Sequence, residues 1–153
     1  VAQVRRRGNN SGKGDDLMKK KDVLNAMKAR ISAAAIGPNT SMPNVELGDR
    51  VLPFIEVEFT GGDRTGGTLA GNETVTETGV LAVTINIEKD AEGGEDTGYD
   101  MADLVADLFP EGYRLLFTGG LLTFIQPPSI RNGFPDDASY RIPVVIQYRA
   151  DRD

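Results

Sequence analysis

The 153-residue chain contains no histidine, no cysteine and no tryptophan. Histidine is the side chain whose ordinary pKa brings its charge change near neutrality, and cysteine is the strongest unassisted nucleophile, so the usual acid–base and thiol routes are missing. Any chemistry would have to run on carboxylates, lysine or hydroxyls. Without cysteine there is no disulfide framework, and no apolar run approaches the ~18–20 residues that span a bilayer. The first residues, VAQVRRRGNN, also lack the apolar centre of a secretory signal, so synthesis in the cytosol is expected.

What is present is a composition of 39% hydrophobic and 26% charged residues, which suits a soluble globular protein, and a length that suits one domain. The charge is uneven. Residues 1–21 sum to +5, and the remainder to −11. Residues 1–16 read as an extended arm in which Arg5, Arg6, Arg7 and Lys13 stand among glycine, asparagine and serine, too polar to offset its own ordering entropy. Residues 17–153 read as one acidic domain. An acidic body repels phosphates, whereas the arm attracts them or any other acidic surface. Met18 is a candidate alternative translation start, which would make the arm an extension.

From Asp16 the apolar positions Val23, Leu24, Met27, Ile31, Ala34 and Ala35 recur at helical spacing, with Asp15 or Asp16 as cap and Gly37–Pro38 as stop. Pro53–Thr60 alternates as a half-buried strand, and 61–72, with five glycines and Arg64, reads as a long contact loop. Thr74–Glu88 resumes alternation with a bend expected at Gly79. A second helix over roughly Gly98–Phe109 buries Met101, Leu104, Val105, Leu108 and Phe109, and turns Asp100, Asp103 and Asp107 outward. Gly119–Gly120 marks a hairpin between Tyr113–Thr118 and Leu121–Gln126. A closing strand runs Tyr140–Tyr148, with Pro143 suited to an edge or bulge. This order predicts an α+β fold: a mixed or antiparallel sheet of about five strands, two main helices packed on one side, and the extended basic N-terminal arm.

Motifs for chemistry fail one by one. Gly8–Gly14 looks like a phosphate loop but has three residues between Gly8 and Gly12 where four are needed, and Gly14 follows Lys13 where Ser or Thr belongs. Asp90, Glu92, Glu95 and Asp96 do not follow calcium-loop spacing and read as a solvated turn. The pairs Glu56/Glu58 and Glu73/Glu77 share strand faces, as plain exposed strands also do, and no Gly-x-Ser-x-Gly occurs. No catalytic residue, cofactor or metal is expected. The stripe Asp100, Asp103, Asp107 reads either as a solvated face or as a surface for a basic partner.

In order and in several phrases the chain resembles the tail terminator (tail completion) proteins of long-tailed bacteriophages and related minor tail proteins. The phrases are DVLNAMKARI, LPFIEVEF, GVLAVTINIE, YDMADLVADLF, GYRLLFTGGLLTFIQPP and RIPVVIQYR, within residues 18–149. The resemblance implies a non-enzymatic virion protein of the tail or neck, assembled in the host cytoplasm. Its expected form is a homo-oligomeric ring, typically a hexamer, capping the head-proximal end of the tail tube. Its expected partners are the tail tube protein and a head connector or stopper protein, with DNA passing through the lumen unbound and no membrane involved. A connector or stopper role, a tube role, and nucleic-acid binding through Arg5–Arg7 and Lys19–Lys21 are the alternatives. The arm has no counterpart in the family pattern. Its basic residues, Arg64 and the Asp100–Asp103–Asp107 stripe are the expected interface positions.

Overall fold

The computed structural model describes residues 18–36, 39–43, 51–66, 75–90, 92–137 and 139–152. Helix α1 spans Lys20–Ala34 and α2 spans Gly94–Leu108; the strands are β1 (Thr40–Ser41), β2 (Phe54–Thr65), β3 (Thr76–Glu88), β4 (Arg114–Phe117), β5 (Gly120–Phe124), β6 (Ser129–Ile130), β7 (Phe134–Asp136) and β8 (Ser139–Arg152). They form a mixed sheet of eight strands in the order β1-β2-β3-β8-β5-β4, with β6 and β7 also paired to β8. The α+β expectation holds, but the sheet has eight strands rather than about five. The extra ones are short pieces of two or three residues that show no periodicity to read.

Alternation decides which side chains enter the core. Register places Val57 beside Val83 and Val83 beside Val144, so the odd-numbered positions of β2, β3 and the even-numbered ones of β8 share one face. On it lie Ile55, Val57, Leu81, Val83, Ile85, Ile87, Ile142, Val144, Ile146 and Tyr148, all buried, and β5 adds Leu122 and Phe124. Both helices close over this face. A 15-residue helix is marginal alone, so α1 depends on burying Val23, Met27 and Ile31 at about 1.5–3 kcal/mol each. Helix α2 buries Met101, Ala102 and Val105. The ring of Phe109, just past its end, meets that of Phe124 at 4.8 Å.

Several expected boundaries move. Helix α1 begins with Lys19 as N-cap and no side-chain cap, because the Lys19 carbonyl takes the amides of Asp22 and Val23; Asp15 and Asp16 lie outside the described residues. It ends at Ala35 in the left-handed region, and Gly37–Pro38 also lie outside. Helix α2 starts a turn earlier than Gly98, since Glu95 and Asp96 of the acidic segment favour the positive end of its dipole. Leu104, expected inside, is 53% exposed, while its neighbours at helical spacing carry the burial.

The expected loop from residue 61 is strand as far as Thr65. Gly61 and Gly62 take positive φ of 81° and 95°, and the register shifts between Gly61 and Asp63, so the glycines form a bulge that lets β2 continue. Residues 67–72 of that expected loop lie outside the described residues, as does Thr74, the expected start of the next strand. Gly79, expected as a bend, pairs with Gly61 beside the β2 bulge and, in unbroken register, with Tyr148 of β8. The hairpin pairs Phe117 with Gly120, so its turn is Thr118–Gly119 rather than Gly119–Gly120.

Pro143, expected at an edge, lies in the middle of β8, the most-paired strand. Its carbonyl accepts the amide of Arg131 in the gap where β6 has ended and β7 has not begun. A strand residue points its amide and carbonyl to the same side, so the missing proline donor falls in that gap and no ladder bond is lost.

Candidate assembly surface

The start of α1 is joined to the sheet at a charged clamp. Glu77 on β3 is fully buried, with a side-chain exposure of 0%, because its position alternates onto the core face. Its Oε1 accepts Arg64 Nε at 2.8 Å; its Oε2 accepts Lys20 Nζ at 3.0 Å and the Tyr148 hydroxyl at 3.2 Å. Arg64 also donates to the carbonyl of Met18 at 3.0 Å. The cluster therefore ties together the start of α1, the far end of β2, β3 and β8. Two glycines make room: a Cβ on Gly62 would meet Lys20 Nζ, and one on Gly79 would lie 2.5 Å from the Tyr148 hydroxyl.

Burial pushes the Glu77 carboxyl up, but the hydrogen bonds from Arg64 and Lys20, the Lys20 charge and the Tyr148 hydroxyl outweigh it and hold the pKa below the usual carboxylate value. The same burial, with the Glu77 charge beside it, pushes the Tyr148 phenol well up. A carboxylate saturated by three donors and held ionised has no proton to exchange near neutrality, so the cluster has the character of a structural tie rather than a general base.

The acidic side of the molecule is α2. Asp100, Asp103 and Asp107 are all exposed, together with Glu95 and Asp96, and no basic residue lies on that helix. Leu104 stands exposed among them. Alongside, α1 and the edge strand β4 leave an apolar groove of about 530 Å³ lined by Ala26, Ala29, Ala33, Leu108, Leu115 and Leu116. Its one charged neighbour, Arg30, is already engaged by the Leu108 carbonyl and lies 4.1 Å over the Tyr113 ring. The lining is apolar and holds no acid–base pair.

Of the expected interface positions, Asp100, Asp103 and Asp107 share one exposed face. Arg64 lies on β2 and is committed within the chain to Glu77 and Met18. Arg5, Arg6, Arg7 and Lys13 lie outside the described residues. The pairing of Glu73 with Glu77 as an exposed strand couple is corrected: Glu77 is buried, and Glu73 lies outside the described residues. The signal was available, since Glu77, Gly79, Leu81 and Val83 alternate on one face. Lys20 and Tyr148 carried no local signal. Among the described residues no group of three or more Asp and Glu side chains is placed to hold a metal ion, and no helix is long and apolar enough to cross a membrane.

Comparison with known proteins adds the family. Among curated protein sequences none matches the chain. Among solved structures, one chain that carries no functional description is 16% identical with a TM-score of 0.71, over 87% of this chain and 96% of that one. A chain from the virion of a native gene transfer agent particle is 14% identical with a TM-score of 0.56, over 86% and 96%. At these identities the likeness is one of fold. The sequence model for phage tail terminator proteins matches residues 22–148, nearly the whole body of the molecule, and this chain therefore belongs to the phage tail terminator family, as a structural protein of the virion tail.

Proposed function

We propose that the protein forms a closed ring, with six subunits as the expected number, on the head-proximal end of the tail tube. There it stops tube polymerisation and offers its other side to the head connector or stopper. The family match over residues 22–148 carries this reading. The geometry supports it: the exposed features are an acidic helix face and an apolar groove, both suited to protein contact.

In this reading the protein is non-enzymatic, and residues 17–153 act as one unit. The arm, through Arg5, Arg6, Arg7 and Lys13, engages an acidic surface of a neighbour, the face of Asp100, Asp103 and Asp107. A basic segment and an acidic face carried by one subunit favour head-to-tail contacts between copies, which close into rings. The acidic remainder lets DNA pass through the lumen without sticking.

Light scattering with negative-stain imaging of the pure protein tests the ring. Rings of about six subunits, alone or once tail tube protein is added, are expected for a closed cyclic assembly. A protein that stays monomeric and never binds tube contradicts it. Salt-sensitive DNA binding by such a monomer, lost on removing residues 1–17, points instead to a nucleic-acid module.

A further inference from the structure

We propose that neighbouring copies join by extending the sheet, strand β4 of one subunit adding in parallel to the edge of β2 of the next. The inference rests on the ring reading and names its contact.

The sheet ends differently on its two sides. On one side is β4, which among the described residues pairs only with β5. The amide of Phe124 bonds the Tyr113 carbonyl, and Phe117 pairs with Gly120 as the closing pair of a two-residue hairpin, so Tyr113, Leu115 and Phe117 face inward. Arg114 and Leu116 therefore turn their amides and carbonyls outward, and among the described residues no strand meets them. Leu116 is also 76% exposed. An open edge with a bare leucine invites pairing with another chain.

On the other side is β2. Strand β1 pairs with it in parallel only at Ile55 and Glu56, and the bulge interrupts it after Gly61. The amide of Ile55 bonds the Asn39 carbonyl, so the odd residues of β2 face this edge. Beyond the last β1 pair and before the bulge, Val57 and Phe59 turn their backbone groups to this edge, and no strand pairs with either there among the described residues; Phe59 is the one farther from β1.

Direction, faces and charges then fit one contact. Each step from β2 through β3, β8 and β5 to β4 is antiparallel, so β2 and β4 run the same way, and a neighbour related by rotation brings β4 alongside β2 in parallel. In a parallel pair, a residue bonds to the two residues flanking the one opposite it. Phe59 bonding Arg114 and Leu116 places Leu115 opposite Phe59, both on the helix-covered face, so the helices of successive subunits stay on the same side. The same register sets exposed Glu58 opposite exposed Arg114 on the other face, a favourable cross-strand pair. Because β2 and β4 are different surfaces at opposite ends of one sheet, the contact is heterologous and propagates head to tail. Strand β1 already shows the mode, as a short parallel strand on the same edge; the neighbour's β4 takes up where it stops.

The chain's lack of cysteine gives a clean test. Glu58→Cys with Arg114→Cys places two thiols at opposite ends of the sheet within a chain, four strand spacings of about 4.8 Å apart, but on adjacent strands across the proposed contact, within the reach of a disulfide. On oxidation the variant is expected to run as covalent multimers up to the closed ring in denaturing, non-reducing gels, and as monomer after reduction. Leu116→Pro, which removes an outward amide and the exposed leucine side chain while leaving the inward bonds of Leu115 and Phe117 to β5, is expected to abolish ring formation while circular dichroism stays native. Rings by scattering with no covalent multimers, or rings undiminished by Leu116→Pro, overturn the contact and leave the ring standing. Native protein that remains monomeric with tail tube protein present overturns both.

Discussion

The Tyr148 hydroxyl reaches the buried Glu77 carboxylate at 3.2 Å by lying across the backbone of Gly79, its register partner on β3. One glycine thus lets an aromatic ring of the central strand serve a carboxylate that also holds Lys20 and Arg64. The clamp joins three strands to the first turn of α1, where the arm enters.

Gly79→Ala puts a Cβ within 2.5–2.8 Å of the Tyr148 ring, so the ring must move and its bond to Glu77 breaks. A loss of about 1–3 kcal/mol is expected, or roughly 2–4 °C of melting temperature per kcal/mol for a chain of this size. Tyr148→Phe, which keeps the ring, should cost only about 1 kcal/mol. Equal melting of Gly79→Ala and native protein contradicts the packing.

Glu77→Gln removes the charge shared by Lys20 and Arg64. Those side chains are 45% and 37% exposed and recover water, so the loss is discounted from that of a fully buried pair to about 1–3 kcal/mol. Glu58→Gln, on the exposed face of β2, should stay within about 0.5 kcal/mol. Denaturant midpoints separate the two, and an equal effect of both would deny Glu77 its special role.

The same carboxylate predicts a pH dependence. Its folded pKa is lowered, so its contribution is fully present above the ordinary carboxylate range and is lost as pH falls through the lower, folded value. Native protein should therefore lose stability on acidification more steeply than Glu77→Gln. Parallel curves through that window would show that the clamp does not contribute.

The two helices, the long alternating strands and the acid stripe could be read from the sequence because each repeats a pattern over ten or so residues. The clamp could not, because Lys20, Arg64, Glu77 and Tyr148 are brought together only by the register of β2, β3 and β8. Gly61 and Gly62 misled for a related reason: glycine marks a bulge as readily as a loop, and only the partner strand decides. Pro143 likewise depended on a gap between β6 and β7 that no local signal announces. The groove beside β4 combines alanines of α1 with leucines some 80 residues away in the chain.

Removing residues 1–17 leaves the clamp residues in place, so the body should melt unchanged while ring association weakens. Reversing Asp100, Asp103 and Asp107 together to lysine should weaken association equally, and adding it to the truncation should have little further effect, since both remove one contact. Sedimentation velocity at matched concentrations reads this directly; additive losses would place the arm on another surface.

In the proposed function the protein ends a tail tube. Tail tube subunits polymerised with and without it, and measured by electron microscopy, test that most directly. Added protein is expected to cap one end and arrest growth at a length set by its proportion to tube subunits. Tubes that grow to the same lengths with uncapped ends, whatever the amount added, would contradict it.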